Sequence, residues 1–493
     1  MSLRVLYLHQ HFTTPDGAGG TRSWAMARAL AARGHRVTVA CGLSEGTDSG
    51  LSAPFRRGRR AGRAGPLSLV QFRVPYANAM GAAARGRAFL GFAARAMPLA
   101  VGGGFDVIVA SSTPPTVALP ALAAHGIARL PFVFEIRDPW PELLLSLGAL
   151  RPGPVATGLS ALSGHACRAA AHVIALSEGA AESARRHGAR HVSLIPNGCD
   201  LDLFGPHVAP ARPEAAAPWE SAFVYAGAHG PANGLDALLD AARILRDRGE
   251  WRVRLLLVGE GAERARLAHR ARIEELRNVT FLPAMPKRAL ASLFAGAQGG
   301  LLCLAPAPAF AEGTSPNKLM DLLAAGLPVV SNVPGRAAQW LAEGEAGLTA
   351  TTPAGLADAM TLLAREPGRR IAMRQAARRL AIRRFDRRDL AARFCDAVEA
   401  AARSRLVLRA RRPRSRSGRS CCLRSISSPP RARTCRSSRR CGTRWPKPRR
   451  SVTRCWSIPA STTRMRCSAR CCATSTCRSR RSRWGSPAAA TRS

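Results

Sequence analysis

A short apolar strand followed by a glycine-rich loop and a helix occurs twice in this chain of 493 residues. In the first unit the apolar run 4–8 leads into a loop with Gly19 and Gly20, and a helical pattern then continues to Arg33. In the second unit the run 223–227 leads into AHGPANGLDALLDAARIL. Such units open doubly wound α/β domains with a parallel sheet. The sequence therefore predicts two domains of this class.

The segment EGTSPNKLMDLLAAGLPVV, at residues 312–330, predicts a loop that opens onto an apolar helix. The first N–H groups of a helix lack intrahelical partners and can bind anions. Lys318 adds a positive charge in the first turn, and Asp321 follows one turn later on the same face. The segment therefore indicates a phosphate site, and the alternative is an ordinary capped helix of the core.

Two further predicted strands end in loops that carry polar residues. The strand at 105–110 runs into SSTPP, and the strand at 132–136 runs into Arg137, Asp138 and the residues PWPE. Open α/β sheets place their chemistry at the carboxyl ends of the strands. These two loops are therefore candidate parts of a catalytic site. The alternative is an ion pair between Arg137 and Asp138, or with neighbouring residues, that only shapes the loop.

These segments, in this order, resemble the retaining glycosyltransferases of family four, which have the GT-B fold of two Rossmann-like domains facing a cleft. The resemblance extends over about residues 3–402. It is carried by VLYLHQHFTTPDGAGGTRSWAMARALAARGHRVTV, FEIRDPWPE, HVIALSEG, LIPNGCD and LLLVGEGAERARL. The first run is similar to the group that adds N-acetyl-fucosamine-type sugars to bacterial O-antigen and capsule. Pro139 departs from the family pattern, which usually has leucine there.

The resemblance implies a role for each candidate residue. Asp138, with Arg137, would form the acceptor side of the catalytic centre. Most members carry two glutamates eight positions apart, and here Gly313 and Asp321 hold those positions. We expect Asp321 to bind the donor ribose, because a carboxylate accepts hydrogen bonds from two hydroxyl groups, and Glu312 to contact the donor sugar. The donor diphosphate would be bound by Gly19, Gly20, His229, Arg264, Asn317 and Lys318.

Two of these assignments have a plain structural alternative. A lone histidine such as His229 is more often part of the core than a ligand, and Arg264 has the alternative of an ordinary exposed helix arginine. The resemblance also implies the activity as a whole. We expect retaining transfer of an N-acetylated amino or deoxyamino sugar from a UDP-sugar to a polyprenyl-diphosphate-linked sugar acceptor, in cell-surface polysaccharide synthesis. We expect neither a metal nor a cofactor. The alternatives are a sugar-nucleotide epimerase of the same fold and a non-catalytic glycan scaffold.

The sequence also predicts the domain boundaries. An N-terminal, acceptor-side Rossmann-like domain is expected over 1–205, and a linker rich in Pro and Ala over 206–218. A donor-nucleotide-binding domain follows over 219–385. A last helix over 386–403 would cross back to the N-terminal domain, as in GT-B enzymes. We expect 404–493 to form a disordered basic tail.

Two basic segments bear on localisation. One is the arginine-rich run 56–63, and the other is the apolar run 80–101, which Arg85, Arg87 and Arg95 interrupt. Because no run of about 18 uncharged apolar residues is present, we expect no membrane span. A predicted strand starts almost at once, so we also expect no signal peptide. A basic, partly apolar surface suits docking on the anionic inner face of the plasma membrane, and the alternative is a solvated loop. Five scattered cysteines before the tail fit a reducing cytoplasm.

The tail differs sharply in composition from the rest of the chain. From Arg405 onward it has 26 Lys and Arg and no Asp or Glu, and without it the net charge falls from +43 to +17. A basic disordered arm would suggest a nucleic-acid partner, but its nine cysteines are unusual for such an arm. When the last base of each codon is read with the first two of the next, residues 455–463 permit LVDTGQHY and residues 469–477 permit ALLRDLDLP. These runs resemble the non-hydrolysing UDP-N-acetylglucosamine 2-epimerases. We interpret the tail as an out-of-frame epimerase fragment and expect no nucleic-acid partner.

Overall fold

The computed structural model of the chain describes residues 2–17, 20–77, 79–212, 216–308, 310 and 315–410, with side chains as far as Arg403. Gly19 and Glu312, and the tail from residue 411 onward, lie outside these residues. The predictions made for them therefore stay predictions.

The N-terminal domain contains an eight-stranded sheet. Its strands are β1 (Arg4–Leu8), β2 (Arg36–Ser44), β3 (Arg59–Ala64), β4 (Leu67–Tyr76), β5 (Val107–Ser111), β6 (Phe132–Ile136), β7 (His172–Ala175) and β8 (Val192–Leu194). Their order is β3-β4-β2-β1-β5-β6-β7-β8, and all neighbours are parallel except β3 and β4. The arginine-rich segment thus forms an antiparallel edge strand, where charged side chains disfavour pairing with another chain. Helices of this domain are α1 (Arg22–Ala32), α2 (Ala82–Gly102), α3 (Ala118–Ala128), α4 (Glu142–Ser146), α5 (Pro154–Ala169) and α6 (Glu178–Arg186).

The C-terminal domain contains a six-stranded, fully parallel sheet. Its strands are β9 (Ser221–Ala226), β10 (Val253–Val258), β11 (Val279–Leu282), β12 (Gly299–Leu302), β13 (Val329–Ser331) and β14 (Gly347–Thr349). Their order is β11-β10-β9-β12-β13-β14. Its helices are α7 (Asp236–Asp247), α8 (Arg264–Ile273), α9 (Lys287–Gly296), α10 (Asn317–Ala324), α11 (Arg336–Glu343), α12 (Pro353–Arg365) and α13 (Pro367–Phe385). The two parallel sheets confirm the predicted pair of Rossmann-like α/β domains.

Both faces of each sheet are covered, which explains why the strands are almost continuously apolar. Successive side chains of a strand point to opposite faces. Leu6 and Leu8 accordingly pack in one core cluster, whereas Val5 and Tyr7 pack in another on the opposite face. In the first sheet β1 lies between β2 and β5, and in the second β9 lies between β10 and β12. The loops after β1 and β9 therefore lie where the strand order reverses, the usual ligand site of such sheets.

The last helix, α14 (Arg387–Ala410), leaves the C-terminal domain and packs on the N-terminal one. It contacts α1 and the strands β5, β6 and β7. Leu390, Phe394 and Val398 join the same core cluster as Tyr7, and the rings of Phe394 and Tyr7 stack with centroids 6.0 Å apart. The start of this helix is therefore an element shared by the two domains.

Candidate active site

A cavity of about 720 Å³ lies where the loops of the two domains meet. The N-terminal domain lines it with Gly20 and the residues 45–47 that follow β2. The C-terminal domain contributes the glycine loops after β9 and β10, residues 284–290 around the start of α9, and the start of α10. Both predicted glycine loops and the predicted phosphate loop thus meet at one cavity.

The loops after β9 and β10 need glycine at two positions, because neighbouring atoms occupy the space that a Cβ atom would take. A Cβ added to Gly227 would lie 2.3 Å from Lys318 Cε, and one added to Gly259 would lie 2.0 Å from the carbonyl oxygen of Gly227. Such distances are too short for any side chain. The two loops therefore pack on each other and leave room for the Lys318 side chain to cross above β9.

Lys318 lies in the first turn of α10 and lines the cavity. Its Nζ donates to the Tyr225 hydroxyl oxygen at 2.6 Å and to Asn233 Oδ1, and it lies 4.6 Å from the centroid of the Tyr225 ring. Burial lowers the pKa of the Lys318 ammonium to about 8. No carboxylate among the described residues forms an ion pair with it. A cation held this way is a site for an anionic ligand.

Asp321 lies one turn further along α10 and also lines the cavity. Both of its oxygens accept hydrogen bonds of 3.0 Å from Lys287 Nζ, and each of the two side chains is only 11% exposed. Nothing in the sequence pointed to Lys287, because it lies 34 residues before its partner. The predicted ribose ligand is thus already neutralised by a lysine, and its ribose role stays a prediction.

His229 and Arg264 lie behind the glycine loops. The His229 ring is fully buried between Tyr225 and Phe281, and neither ring nitrogen has a hydrogen-bond partner among the described residues. Burial, together with Arg264, lowers the pKa of His229, so that the ring is neutral. Arg264 Nε lies 3.6 Å from a carboxylate oxygen of Glu260, which lines the cavity.

Arg137 lies where the N-terminal domain meets the start of α10. Its Nη1 donates to His9 Nε2 at 2.8 Å, and His9 Nδ1 lies 2.8 Å from Ser23 Oγ. Burial and the neighbouring Arg137 hold the pKa of His9 well below its usual value, so that Nε2 is free to accept this bond. A Cβ added to Gly20 would lie 3.2 Å from Asn317 Nδ2 and 3.8 Å from Arg137 Nη2. Gly20, Asn317 and Arg137 are therefore neighbours across the cleft.

Asp138 is half-buried at the end of β6. Burial raises the pKa of its carboxyl group, and the nearby Arg137 opposes this shift. Arg137 bonds to His9 rather than to Asp138, and no described residue forms an ion pair with Asp138. The structure therefore shows no Arg137–Asp138 ion pair, but Arg137 does bond to a neighbouring residue, His9.

A buried network behind this loop was not anticipated, although its glutamate lies within the FEIRDPWPE motif. Glu135 is fully buried and accepts from Arg22 Nε at 2.9 Å, Ser111 Oγ at 2.5 Å and the Tyr7 hydroxyl at 3.3 Å. Burial alone would raise its pKa, but Arg22 and the other neighbours lower it, so the carboxylate is ionised. Arg22 also donates to the carbonyl of Ile195 at 3.0 Å. The network fixes β6 relative to the start of α1 and to the segment that leaves β8.

The LIPNGCD motif connects the two domains. Asn197 donates from its backbone to Ser315 Oγ at 3.1 Å and from Nδ2 to the Ser315 carbonyl at 2.6 Å, just before α10. Asp200 and Asp202 have the spacing of a D-x-D metal motif, but both are paired with arginines at the start of α14. Within the described part of the chain, no group of three or more His, Cys, Asp or Glu could hold a metal ion.

This geometry defines an α/β protein of the GT-B class, with two Rossmann-like domains around a ligand cleft. Comparisons with known proteins agree with it. Residues 19–203 match the family described as Glycosyltransferase Family 4, and residues 220–366 match the family described as Glycosyl transferases group 1. These two segments are therefore glycosyltransferase domains. No match to the sequence was found among curated proteins.

Solved structures share the fold at low sequence identity. Sucrose-phosphate synthase from Thermosynechococcus elongatus is 17% identical with a TM-score of 0.64, and the match covers 83% of this chain and 100% of that one. Anabaena HepE in complex with UDP is 19% identical with a TM-score of 0.57, over 81% of this chain and 100% of that one. WaaG, a glycosyltransferase involved in lipopolysaccharide biosynthesis, is 16% identical with a TM-score of 0.57, over 80% and 99%. These matches establish the GT-B fold.

Proposed function

We propose that this protein is a retaining glycosyltransferase that uses a UDP-sugar, in which the sugar is an N-acetylated amino or deoxyamino hexose. The acceptor is a polyprenyl-diphosphate-linked sugar, and the reaction belongs to cell-surface polysaccharide synthesis. The observation that carries the proposal is the cleft itself. It places Lys318, which forms no ion pair with a carboxylate of the described residues, beside two glycine loops, and Gly20 of the other domain lies close to both Asn317 and Arg137.

The residues that line the cleft support a nucleotide-sugar donor. Val258, Met285 and Leu290 supply an apolar wall for a planar base. Asp321 and Lys287 offer an acceptor and a donor for ribose hydroxyl groups. Lys318 and the backbone N–H groups of the glycine loops then receive the diphosphate. HepE, which shares this fold, has been solved with UDP and with UDP-glucose, which supports a uridine donor.

The charge of the leaving diphosphate grows as the glycosidic bond breaks. Lys318, Arg264 and the loop N–H groups would stabilise that charge. In the retaining mechanism the acceptor hydroxyl attacks from the face that the diphosphate leaves, and its proton passes to a diphosphate oxygen. Arg137 and Asp138 lie on the acceptor side and would orient that hydroxyl. The proposed contact of Glu312 with the donor sugar concerns a residue outside the described part of the chain.

The acceptor side also carries a half-buried group of aromatic rings. His11 and Tyr76 have centroids 4.5 Å apart, Tyr76 and Phe89 stack at 5.5 Å, and Phe89 and Trp140 meet at 6.1 Å. Trp140 is two residues from Asp138, and Phe89 lies on α2. The next residue, Leu90, is exposed on α2 among arginines. A basic and partly apolar helix of this kind supports docking on an anionic inner membrane surface.

No helix in the described residues has the length and apolar character needed to span a bilayer. The proposed attachment to the membrane therefore rests on the surface of α2 and on the arginine-rich edge strand β3. We expect the protein to sediment with vesicles that contain phosphatidylglycerol and not with neutral ones. Arg87→Gln together with Leu90→Gln should abolish this sedimentation without changing the binding of UDP.

The test of the donor is a binding and turnover panel of UDP-, GDP- and dTDP-sugars with the full chain. We expect selective binding of UDP-N-acetylhexosamines, and loss of that binding in Lys318→Ala and Arg264→Ala. Arg266→Ala is the matched control for the second variant, because Arg266 lies on the same helix and pairs outward with Asp236. Conversion of the donor into another UDP-sugar without an acceptor would show an epimerase instead. A folded protein that binds no nucleotide-sugar would contradict the proposal.

A further inference from the structure

A second cavity, of about 570 Å³, lies behind the C-terminal domain, between helix α13 and the segment that leads out of the N-terminal domain. Its apolar wall comes mainly from Pro206, Val208 and Pro210. Its longer polar side chains all come from α13 and are Arg374, Gln375, Arg378 and Arg379. No carboxylate is among the described residues that line the cavity.

The arginines that line this cavity form no ion pair with any carboxylate of the described residues. Helix α13 carries seven arginines and no acidic residue. Arg374 donates to the carbonyl of Ala297 at 2.9 Å, and Arg378 donates to the carbonyls of Phe204 at 2.7 Å and Leu201 at 3.1 Å. Neither forms an ion pair with a carboxylate in the described part of the chain. The carbonyls orient the guanidinium groups but carry no net charge, and a partly buried cation without a counter-charge is unfavourable.

We propose that this cavity is a binding site for a phosphate-type anion. A guanidinium group presents five N–H donors in a planar fork that matches a phosphate, and Arg374 uses only one of them on a described carbonyl. Arg379 is exposed and has no hydrogen-bond partner among the described residues, so it is available as a second ligand. Gln375 can add its amide group. Burial lowers the pKa of Arg374 and of Arg378, and at Arg378 the carboxylates of Asp202 and Asp386, which form no ion pair with it, offset part of this shift.

The site is distinct from the donor cleft but connected to it. Arg378 also donates to the carbonyl of Ala324, the last residue of α10, whose first turn holds Lys318. The same guanidinium therefore joins the end of the donor-loop helix to the chain that leaves the N-terminal domain. Two phosphate sources fit this chemistry, a soluble phosphate or the headgroup of an anionic lipid. Ile371 and Ile382 are exposed and lie one helical turn from Gln375 and Arg378, so they would favour the lipid.

The first experiment measures the binding of inorganic phosphate to the full chain by thermal shift, at constant ionic strength with chloride as the reference. The measurement is done once on the wild type with saturating UDP and once on the Lys318→Ala variant. In both cases phosphate bound in the donor cleft does not contribute to the thermal shift. We expect phosphate to stabilise both proteins. Arg379→Gln should weaken the binding about tenfold, the effect of one lost charge-assisted hydrogen bond. Arg374→Gln should do the same, although it also loses its bond to Ala297.

Arg383→Gln is the matched control, because Arg383 lies exposed on the same helix outside the cavity. The second arm uses vesicles of phosphatidylcholine alone and with phosphatidic acid. Vesicle binding that requires both phosphatidic acid and Arg379, with no response to free phosphate, would identify the lipid as the source. No response in either arm, or an equal loss in Arg383→Gln, would overturn the site. The Lys318→Ala arm does not depend on UDP binding, so this result is independent of the proposed function.

Discussion

Replacing Lys318 by methionine should remove donor binding and, at the same time, make the stability of the protein less dependent on pH. Methionine keeps the length and apolar stem of lysine but has no charge. In the folded protein burial lowers the pKa of Lys318 from 10.5 to about 8. In the unfolded chain the side chain recovers its ordinary pKa. The shift in pKa therefore measures the free energy of folding that is lost by burying the ammonium group at this position.

A pKa shift of this size corresponds to about 3 kcal/mol, and because Lys318 still reaches solvent we expect about 1–3 kcal/mol. The folded pKa is lower than the unfolded one, so the unfolded state binds more protons between the two values. The cost is fully present below the folded pKa and is relieved as pH rises towards the unfolded pKa. Relative to Lys318→Met, the wild type should therefore gain about 1 kcal/mol of unfolding free energy between pH 7 and pH 9.

The assay is urea unfolding of both proteins without nucleotide at the two pH values, together with calorimetric titration of UDP at pH 7. We expect the variant to lose at least about tenfold in UDP affinity, as for a lost charge-assisted contact with phosphate. Removal of the ammonium also leaves Asn233 Oδ1 without this donor, which lowers the stability of the variant at both pH values equally. A stability difference that does not change with pH, or that moves the other way, would refute the argument from burial. Unchanged UDP affinity would refute the phosphate role.

Three other outcomes follow from the charges of the cleft. Asp321→Asn should destabilise the fold by about 3 kcal/mol, because it leaves Lys287 buried without its counter-charge. Adding Lys287→Met to this variant should recover most of the lost free energy of unfolding, measured in urea. A larger loss in the double variant would contradict the pairing. Arg264→Ala should weaken UDP binding about tenfold in calorimetry, whereas Arg266→Ala should not, and equal losses would indicate a general charge effect. Chelation with EDTA should leave sugar transfer unchanged, and activity that returns only with added Mg²⁺ or Mn²⁺ would show that a metal takes part.

The sequence could predict the elements of the site because each of them is local. A strand, a glycine loop and a helix follow one another within about 30 residues, and the period of the apolar residues shows where each begins. Lys318 was identified in this way, since the start of a helix after a Ser/Pro loop binds anions whatever surrounds it. The family resemblance implied that Gly20 and Asn317 bind the same diphosphate, and the two residues are neighbours across the cleft.

Partners that are distant along the chain could not be predicted. Arg137 bonds to His9, which lies 128 residues before it, and Glu135 pairs with Arg22, which lies 113 residues before it. The adjacency of Arg137 and Asp138 suggests an ion pair, but in the structure Arg137 donates a hydrogen bond to the neutral His9 ring instead. These groups come together only because β1, β5 and β6 follow one another in the order of the sheet. Tertiary pairing, rather than local spacing, thus decides which charges remain available to a ligand.

The availability of charge explains why the diphosphate is expected beside Lys318 rather than beside Lys287. Lys287 and Lys318 are the two lysines that line the cavity among the described residues, and the first is neutralised by Asp321. Among the described residues, the hydrogen-bond partners of Lys318 are neutral oxygens from Tyr225 and Asn233, which orient the ammonium without cancelling its charge. A ligand with two negative phosphates can supply that missing charge, and on binding it should raise the pKa of Lys318 again. UDP binding should therefore take up protons near pH 8, which calorimetry in buffers of different ionisation enthalpy measures directly. Absence of proton uptake would mean that the diphosphate does not contact Lys318.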